Sequence, residues 1–134
     1  MDALSWVLRA KILLTLAWAG FPLLAPESLL IDLGFPRPEP IVWLRLLGAA
    51  YLALLVGYWL ALQDHNQRKD VWNTIRVGIV SNGLGSLLLC YFGLTGAWND
   101  WGTPAQVAMW VSAFAAGAVT LGLVLTRRQG QVPD

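Results

Sequence analysis

Residues 41–62, IVWLRLLGAAYLALLVGYWLAL, carry a single charge, Arg45, in an otherwise apolar or aromatic run. A helix needs ~20 mostly apolar residues at 1.5 Å rise each to cross the hydrocarbon core of a bilayer. This stretch therefore reads as a membrane span. Three similar stretches accompany it, at about 9–25, 71–94 and 107–126. The spans follow one another closely and leave no room for a soluble domain. The expected fold is an all-α, four-helix transmembrane bundle, a single integral membrane domain over residues 1–134. Only 13% of the residues are charged, against about a quarter in a soluble domain.

The few charges lie mostly between the spans, and their distribution sets a topology. Arg9 and Lys11 open the first span, Arg68 and Lys69 sit in the loop Gln63–Asp70, and Arg127 and Arg128 close the last span. The other two connections hold one basic residue, Arg37, against Glu27, Asp32, Glu39 and Asp100. Short loops rich in Lys and Arg stay cytoplasmic. Both termini and the loop after the second span are thus expected inside, with residues 26–40 and 95–106 outside. The first span continues apolar past Ala17-Trp18-Ala19 to Ala25, which favours a retained helix over a cleaved signal peptide. Trp6, Trp59 and Trp72 mark the inner boundary, and Trp43, Trp98, Trp101 and Trp110 the outer one, as an aromatic belt would.

Between the first two spans, Pro26-Glu27-Ser28 reads as a helix start and Gly34 as its stop. The apolar run Leu29–Leu33 predicts a short interfacial helix. Pro36, Pro38 and Pro40 then impose an extended strap. Pro22 lacks an N–H and should kink the outer end of the first span.

Each later span has a face of small or polar residues. The second carries Arg45, Ala49, Ala53 and Val56 on one side, and Leu44, Leu47, Tyr51, Leu54 and Tyr58 on the other. The third carries Gly78, Ser81, Asn82, Gly85 and Ser86, opposed by Val77, Val80, Leu84, Leu87 and Tyr91. The fourth carries Ser112, Ala113, Ala116, Gly117 and Thr120. Lipid tails are as apolar as leucine, so close backbone approach and interhelical hydrogen bonds must pair the helices. The small faces are expected to meet in a compact bundle, with the bulky faces toward lipid.

Several function classes are excluded. A net charge of +1 without a basic stripe gives no basis for nucleic-acid binding. One cysteine, Cys90, rules out an internal disulfide or a CxxC redox pair. One histidine, His65, lies in the polar run Gln63–Asp70 and reads as a solvated loop residue, so no metal site is expected. No span contains an acid, which argues against a proton-coupled carrier. No catalytic set is recognisable, and the chain is not expected to be catalytic by itself.

The candidate binding residues are Arg45, Glu27, Asp32, Glu39 and Asn82. An arginine inside a span is costly and needs a partner. Glu27, Asp32 and Glu39 belong to the same outer layer, so Arg45 reads either as a clasp on the strap or as an anion site at the outer mouth. Asn82 near the midplane must bond across helices or line a wet cavity. Arg76 is expected to snorkel to the inner surface, with Asp70 near.

The stretch Ala19-Gly20-Phe21-Pro22, then Pro26-Glu27, then Leu33-Gly34-Phe35-Pro36, then Trp43–Tyr51 with Arg-x-x-Gly-Ala at Arg45, Gly48 and Ala49, resembles the DoxX-like superfamily of small four-helix bacterial membrane proteins. The resemblance implies a bacterial inner-membrane location. It also implies a non-catalytic accessory or scaffold subunit of a membrane complex, in some relatives one linked to quinone-dependent oxidoreductases. The alternative is a small-molecule or lipid-binding membrane protein or transporter. Expected partners are membrane lipids with other subunits or further copies of the chain. The sequence requires no cofactor, and a lipid or quinone would be compatible with it.

Overall fold

The computed structural model describes residues 2–131. It is all-α: α1 spans Ala3–Leu24, α2 Glu27–Asp32, α3 Val42–Asn66, α4 Trp72–Leu94 and α5 Thr103–Thr126, with a 3-10 turn at Arg127–Gly130. Helices α1, α3 and α4, and the helical stretch Thr103–Gly130, are long and apolar enough to cross a membrane. This is the architecture of an integral membrane protein. The first span begins at Ala3, six residues before the expected position 9. Asp2 caps it, accepting from Ser5 N–H at 2.9 Å. The cap moves the polar-looking residues Arg9 and Lys11 from the rim of the span into its body.

The helices pair as α1 with α3 and α4 with α5, and α1 also touches α5. Both pairs use small residues where backbones approach. A Cβ at Gly48 of α3 would lie 2.7 Å from Leu23 Cγ and 2.9 Å from Leu23 N of α1. In the other pair, Ser86 Oγ donates to Ala113 O at 2.8 Å, and Gly117 faces Ser86.

The two ends of the bundle differ. At the end carrying both termini, Leu4, Leu8, Tyr58, Ala61, Ile75 and Leu123 form a buried core. The 3-10 turn completes it: Gln129 Oε1 accepts from Leu4 N–H at 2.9 Å, and Gly130 O accepts from Val71 N–H at 3.0 Å. His65 is not in a solvated loop. It lies in the last turn of α3, with Nε2 2.8 Å from Asp2 Oδ2, and so ties α3 to the start of α1. Hydrogen bonding from Ser5 N–H, with His65 nearby, holds the Asp2 carboxyl at about 2, below its ordinary value.

At the opposite end the strap forms a lid. Helix α2 finishes in a Schellman motif: Phe35 N–H reaches Leu30 O at 3.0 Å and Gly34 N–H reaches Ile31 O at 2.8 Å. Gly34 takes φ +83° there. The strap is then stapled backbone to backbone onto the start of α5, with Gly102 N–H on Gly34 O at 2.8 Å and Ala105 N–H on Leu33 O at 3.1 Å. A Cβ on Gly34 would collide with the Gly102 backbone. Trp98, expected as a belt residue, is buried instead and packs against Trp101 and Trp110. Trp101 continues through Phe35 to Phe21, so an aromatic row crosses this end of the bundle.

Candidate ligand-binding site

The expectation of a compact bundle fails between the two helix pairs. Between the α1–α3 and α4–α5 pairs, toward the strap, the helices part around a cavity of about 910 Å³. Helix α3 is the reason. Its bulky face turns inward, contrary to the expectation from its small stripe. Leu47, Tyr51 and Leu54 line the cavity, and Tyr58 is 1% exposed. Its small residues Ala49 and Ala53 are exposed, as is Val56. Small residues are needed where two backbones touch, whereas α3 and α4 hardly meet. A cavity wall is built from side chains. In α4 the expectation and the structure agree: Val80 is 66% and Leu87 70% exposed, while Ser81, Asn82 and Gly85 line the cavity.

The polar groups gather on α1. Lys11, Thr15 and Trp18 stand at i, i+4 and i+7, on one helical face, and all three line the cavity. Lys11 is eight residues into α1, ~12 Å from its start at 1.5 Å per residue. It is only 5% exposed. Its Nζ donates to Asn82 Oδ1 at 2.5 Å and sits 5.0 Å from the centre of the Tyr58 ring. The amide is held in turn, because Asn82 Nδ2 donates to Gly78 O at 2.6 Å. Tyr58 Oη shares a hydrogen bond with Ser81 Oγ at 3.2 Å. Thr15 is 1% exposed and its hydroxyl finds no protein partner. Trp18 Nε1 donates to Ser112 Oγ at 3.1 Å. The cavity thus has a polar floor near mid-membrane, apolar walls, and a rim of Phe21, Phe35, Phe92 and Pro104 under the strap.

No carboxylate answers Lys11. Among the described residues the ion pairs are Arg37 with Glu27 and Glu39 and Lys69 with Asp64, and His65 meets Asp2. All of these lie at the ends of the bundle. A cation in a low-dielectric interior is costly unless paired. One amide oxygen and one aromatic face offset part of that cost.

The residues singled out from the sequence fall in two places. Only Asn82 belongs to the cavity floor. Arg45 does not meet Glu27, Asp32 or Glu39. Its Nη1 donates to Pro22 O at 2.6 Å and its Nη2 to Ala25 O at 2.8 Å. The physical reason is local. The helical partner of Pro22 O would be the N–H of residue 26, which is a proline and has none. Arg45 supplies the missing donor and sets a cation at the negative end of α1. Gly48, nearly one turn on, lets α3 come close enough for this. Glu27 and Glu39 instead flank Arg37, at 3.1 and 3.5 Å, and Asp32 is exposed. Arg76 lies over the Trp72 ring at 5.5 Å and not against Asp70, whose Oδ1 accepts from Trp72 N–H.

The sequence reading missed Lys11 and Thr15. The polar spacing Lys11-x₃-Thr15-x₂-Trp18 was visible, but a span beginning at residue 9 makes Lys11 an interfacial residue. No group of three His, Cys, Asp or Glu residues able to hold a metal ion occurs among the described residues. Compared with known proteins, the chain finds no matching family model, no matching characterised protein and no matching solved structure.

Proposed function

We propose that this protein binds a small amphiphile taken from the membrane, in the cavity between its two helix pairs. The observation that carries this is a cavity of about 910 Å³ with apolar walls and a polar floor. Ligand sites typically enclose ~300–1,000 Å³ and combine apolar lining with a few placed polar groups. Access runs along the seam between α3 and α4, which hardly touch, so the ligand would enter sideways from the bilayer. The basic bias of the loops supports cytoplasmic termini, with the strap facing outside. The DoxX-like resemblance supports a bacterial inner membrane and an accessory role in a larger complex, and a subunit of that kind would hold its ligand in this same cavity.

The test is to obstruct the cavity. Gly85 lines the cavity and a Cβ there meets nothing within 4 Å, so the side chain of Gly85→Leu starts into open space. The parent protein in nanodiscs should bind a fluorescent amphiphile saturably at one site, and Gly85→Leu should lose that binding while keeping its thermal stability. Unchanged saturable binding in Gly85→Leu would falsify the reading.

A further inference from the structure

We infer that the cavity is a site for a long-chain carboxylic acid, whose carboxylate docks on Lys11 and Thr15 while its chain lies between α3 and α4. This rests on the cavity reading above and adds the chemistry of the ligand head. Two independent observations point to it. Lys11 Nζ has three donors, of which Asn82 Oδ1 takes one, and no acid among the described residues pairs with it. Thr15, one turn along the same face, is 1% exposed with a hydroxyl that has no protein partner. Both groups line the same cavity.

The charge count selects the head. A neutral ketone or alcohol would accept a hydrogen bond but leave the buried cation uncompensated. A phosphate dianion would bring two charges to one lysine. A carboxylate brings one charge and two acceptor oxygens, matching one ammonium and one hydroxyl. Depth selects the molecule. Lys11 lies ~12 Å along α1 from the terminal end, behind the packed core of Leu4, Leu8, Ile75 and Leu123, so a phospholipid headgroup anchored at the surface does not reach it from that side. From the seam, a single-chain acid can pass head first between α3 and α4. Asn82 acts as a positioning residue: its amide, fixed by Gly78 O, holds the ammonium at the cavity floor.

The experiment compares cis-parinaric acid, a fluorescent long-chain acid, with its methyl ester. Binding is read by energy transfer from tryptophan in nanodiscs of zwitterionic lipid. In the parent the acid should bind at least roughly tenfold tighter than the ester, as a charge-assisted contact implies. Lys11→Met should abolish that preference, so that acid and ester bind alike. Thr15→Val should reduce it several-fold. Without added acid, Lys11→Met should be at least as stable as the parent, since it removes a buried charge. Equal binding of acid and ester by the folded parent overturns the carboxylate assignment and leaves the cavity reading standing. Persistence of the preference in Lys11→Met also overturns it. Failure of both probes to bind saturably in the parent overturns both readings. A dianionic phosphate ester of the same chain that outcompetes the acid would overturn the single-charge argument. Should Lys11→Met not fold, the acid–ester comparison in the parent and Thr15→Val still decide the matter.

Discussion

At the terminal end, Leu4, Leu8, Tyr58, Ile75 and Leu123 interlock from four helices. Toward the strap, the same four helices part around a cavity of about 910 Å³. The two ends are held by different forces. Lipid offers apolar surface as readily as a protein interior does, so side-chain burial contributes through packing and not through transfer from water. Interdigitation suffices where the helices meet. Where they part, directional bonds replace it: the Gly34–Gly102 and Leu33–Ala105 backbone staples, the Arg45 cap on α1 and the aromatic row from Phe21 to Trp110. A rigid rim around an open interior is what a binding cavity requires.

The sharpest break in the comparison uses one substitution at two addresses. Leu123 is fully buried in the terminal core, and Leu123→Ala should cost ~2–5 kcal/mol, since a cavity in tight packing cannot relax fully. Leu88 lines the open cavity and is half exposed. Leu88→Ala loses few packed neighbours and should cost well under ~1 kcal/mol. Equilibrium unfolding in mixed micelles measures both. Equal costs would mean that the strap end is as tightly packed as the terminal end.

Gly34→Ala attacks the other kind of cohesion. The new methyl group would strike the Gly102 backbone, and φ +83° is unfavourable for alanine by ~1–2 kcal/mol. Overpacking adds ~1–3 kcal/mol if the strap cannot yield. The strap can yield, so the expected result is local. Amide exchange should quicken over residues 28–35 and 102–105 and stay unchanged over Leu4–Leu8 and Ile75. Uniform acceleration along the chain would show that the two ends unfold as one unit.

Much of this fold was legible, because the length and apolar character of a span are one-dimensional properties. The inward face of α4 was legible too, since Gly78, Asn82 and Ser86 do lie where backbones or polar groups meet. The face of α3 was not. Ala49 and Ala53 signal close packing only if a helix lies against them, and the sequence does not say that α3 and α4 stay apart. Lys11 was hidden by a similar ambiguity. A basic residue near the start of an apolar run marks a boundary or a buried cation, and the cap at Asp2 decides between them. The spacing Arg45-x-x-Gly48 has a physical account: Gly48 admits the end of α1, and Arg45 caps it.

Arg45 and Arg76 sharpen the comparison with smaller effects. Arg45→Ala leaves the Pro22 and Ala25 carbonyls without donors and should cost ~1.5–3 kcal/mol, the range for hydrogen bonds to a charged group. Arg45→Lys keeps the charge but cannot bridge two carbonyls with a planar fork, so it should fall between. Arg76→Ala removes a guanidinium resting over the half-buried Trp72 ring and should change thermal stability by no more than ~1 kcal/mol. An Arg45→Ala variant as stable as Arg76→Ala would show that water satisfies those carbonyls and that the cap is incidental.

Asp2 joins α1 and α3 at the closed end without entering the core. Its carboxylate caps α1 through Ser5 N–H and meets His65 at 2.8 Å. Asp2→Ala should cost ~0.5–2 kcal/mol as a lost cap. The cap also predicts a pH response. The carboxyl titrates at about 2 in the folded protein, below its ordinary 3.8, so the unfolded chain takes up the proton first on acidification. The stabilisation from Asp2 is therefore fully present above about 3.8 and fades as pH falls toward about 2. Asp2→Asn keeps a side-chain acceptor for Ser5 N–H but has no carboxyl to titrate. Its stability should lie close to the parent's at neutral pH, and the parent alone should lose the Asp2 contribution between those two values. The comparison needs only melting curves of the two proteins at matched ionic strength. Parallel loss in both would assign the acid sensitivity of the terminal end to another carboxylate, Asp64 beside Lys69 or Asp70 at the start of α4.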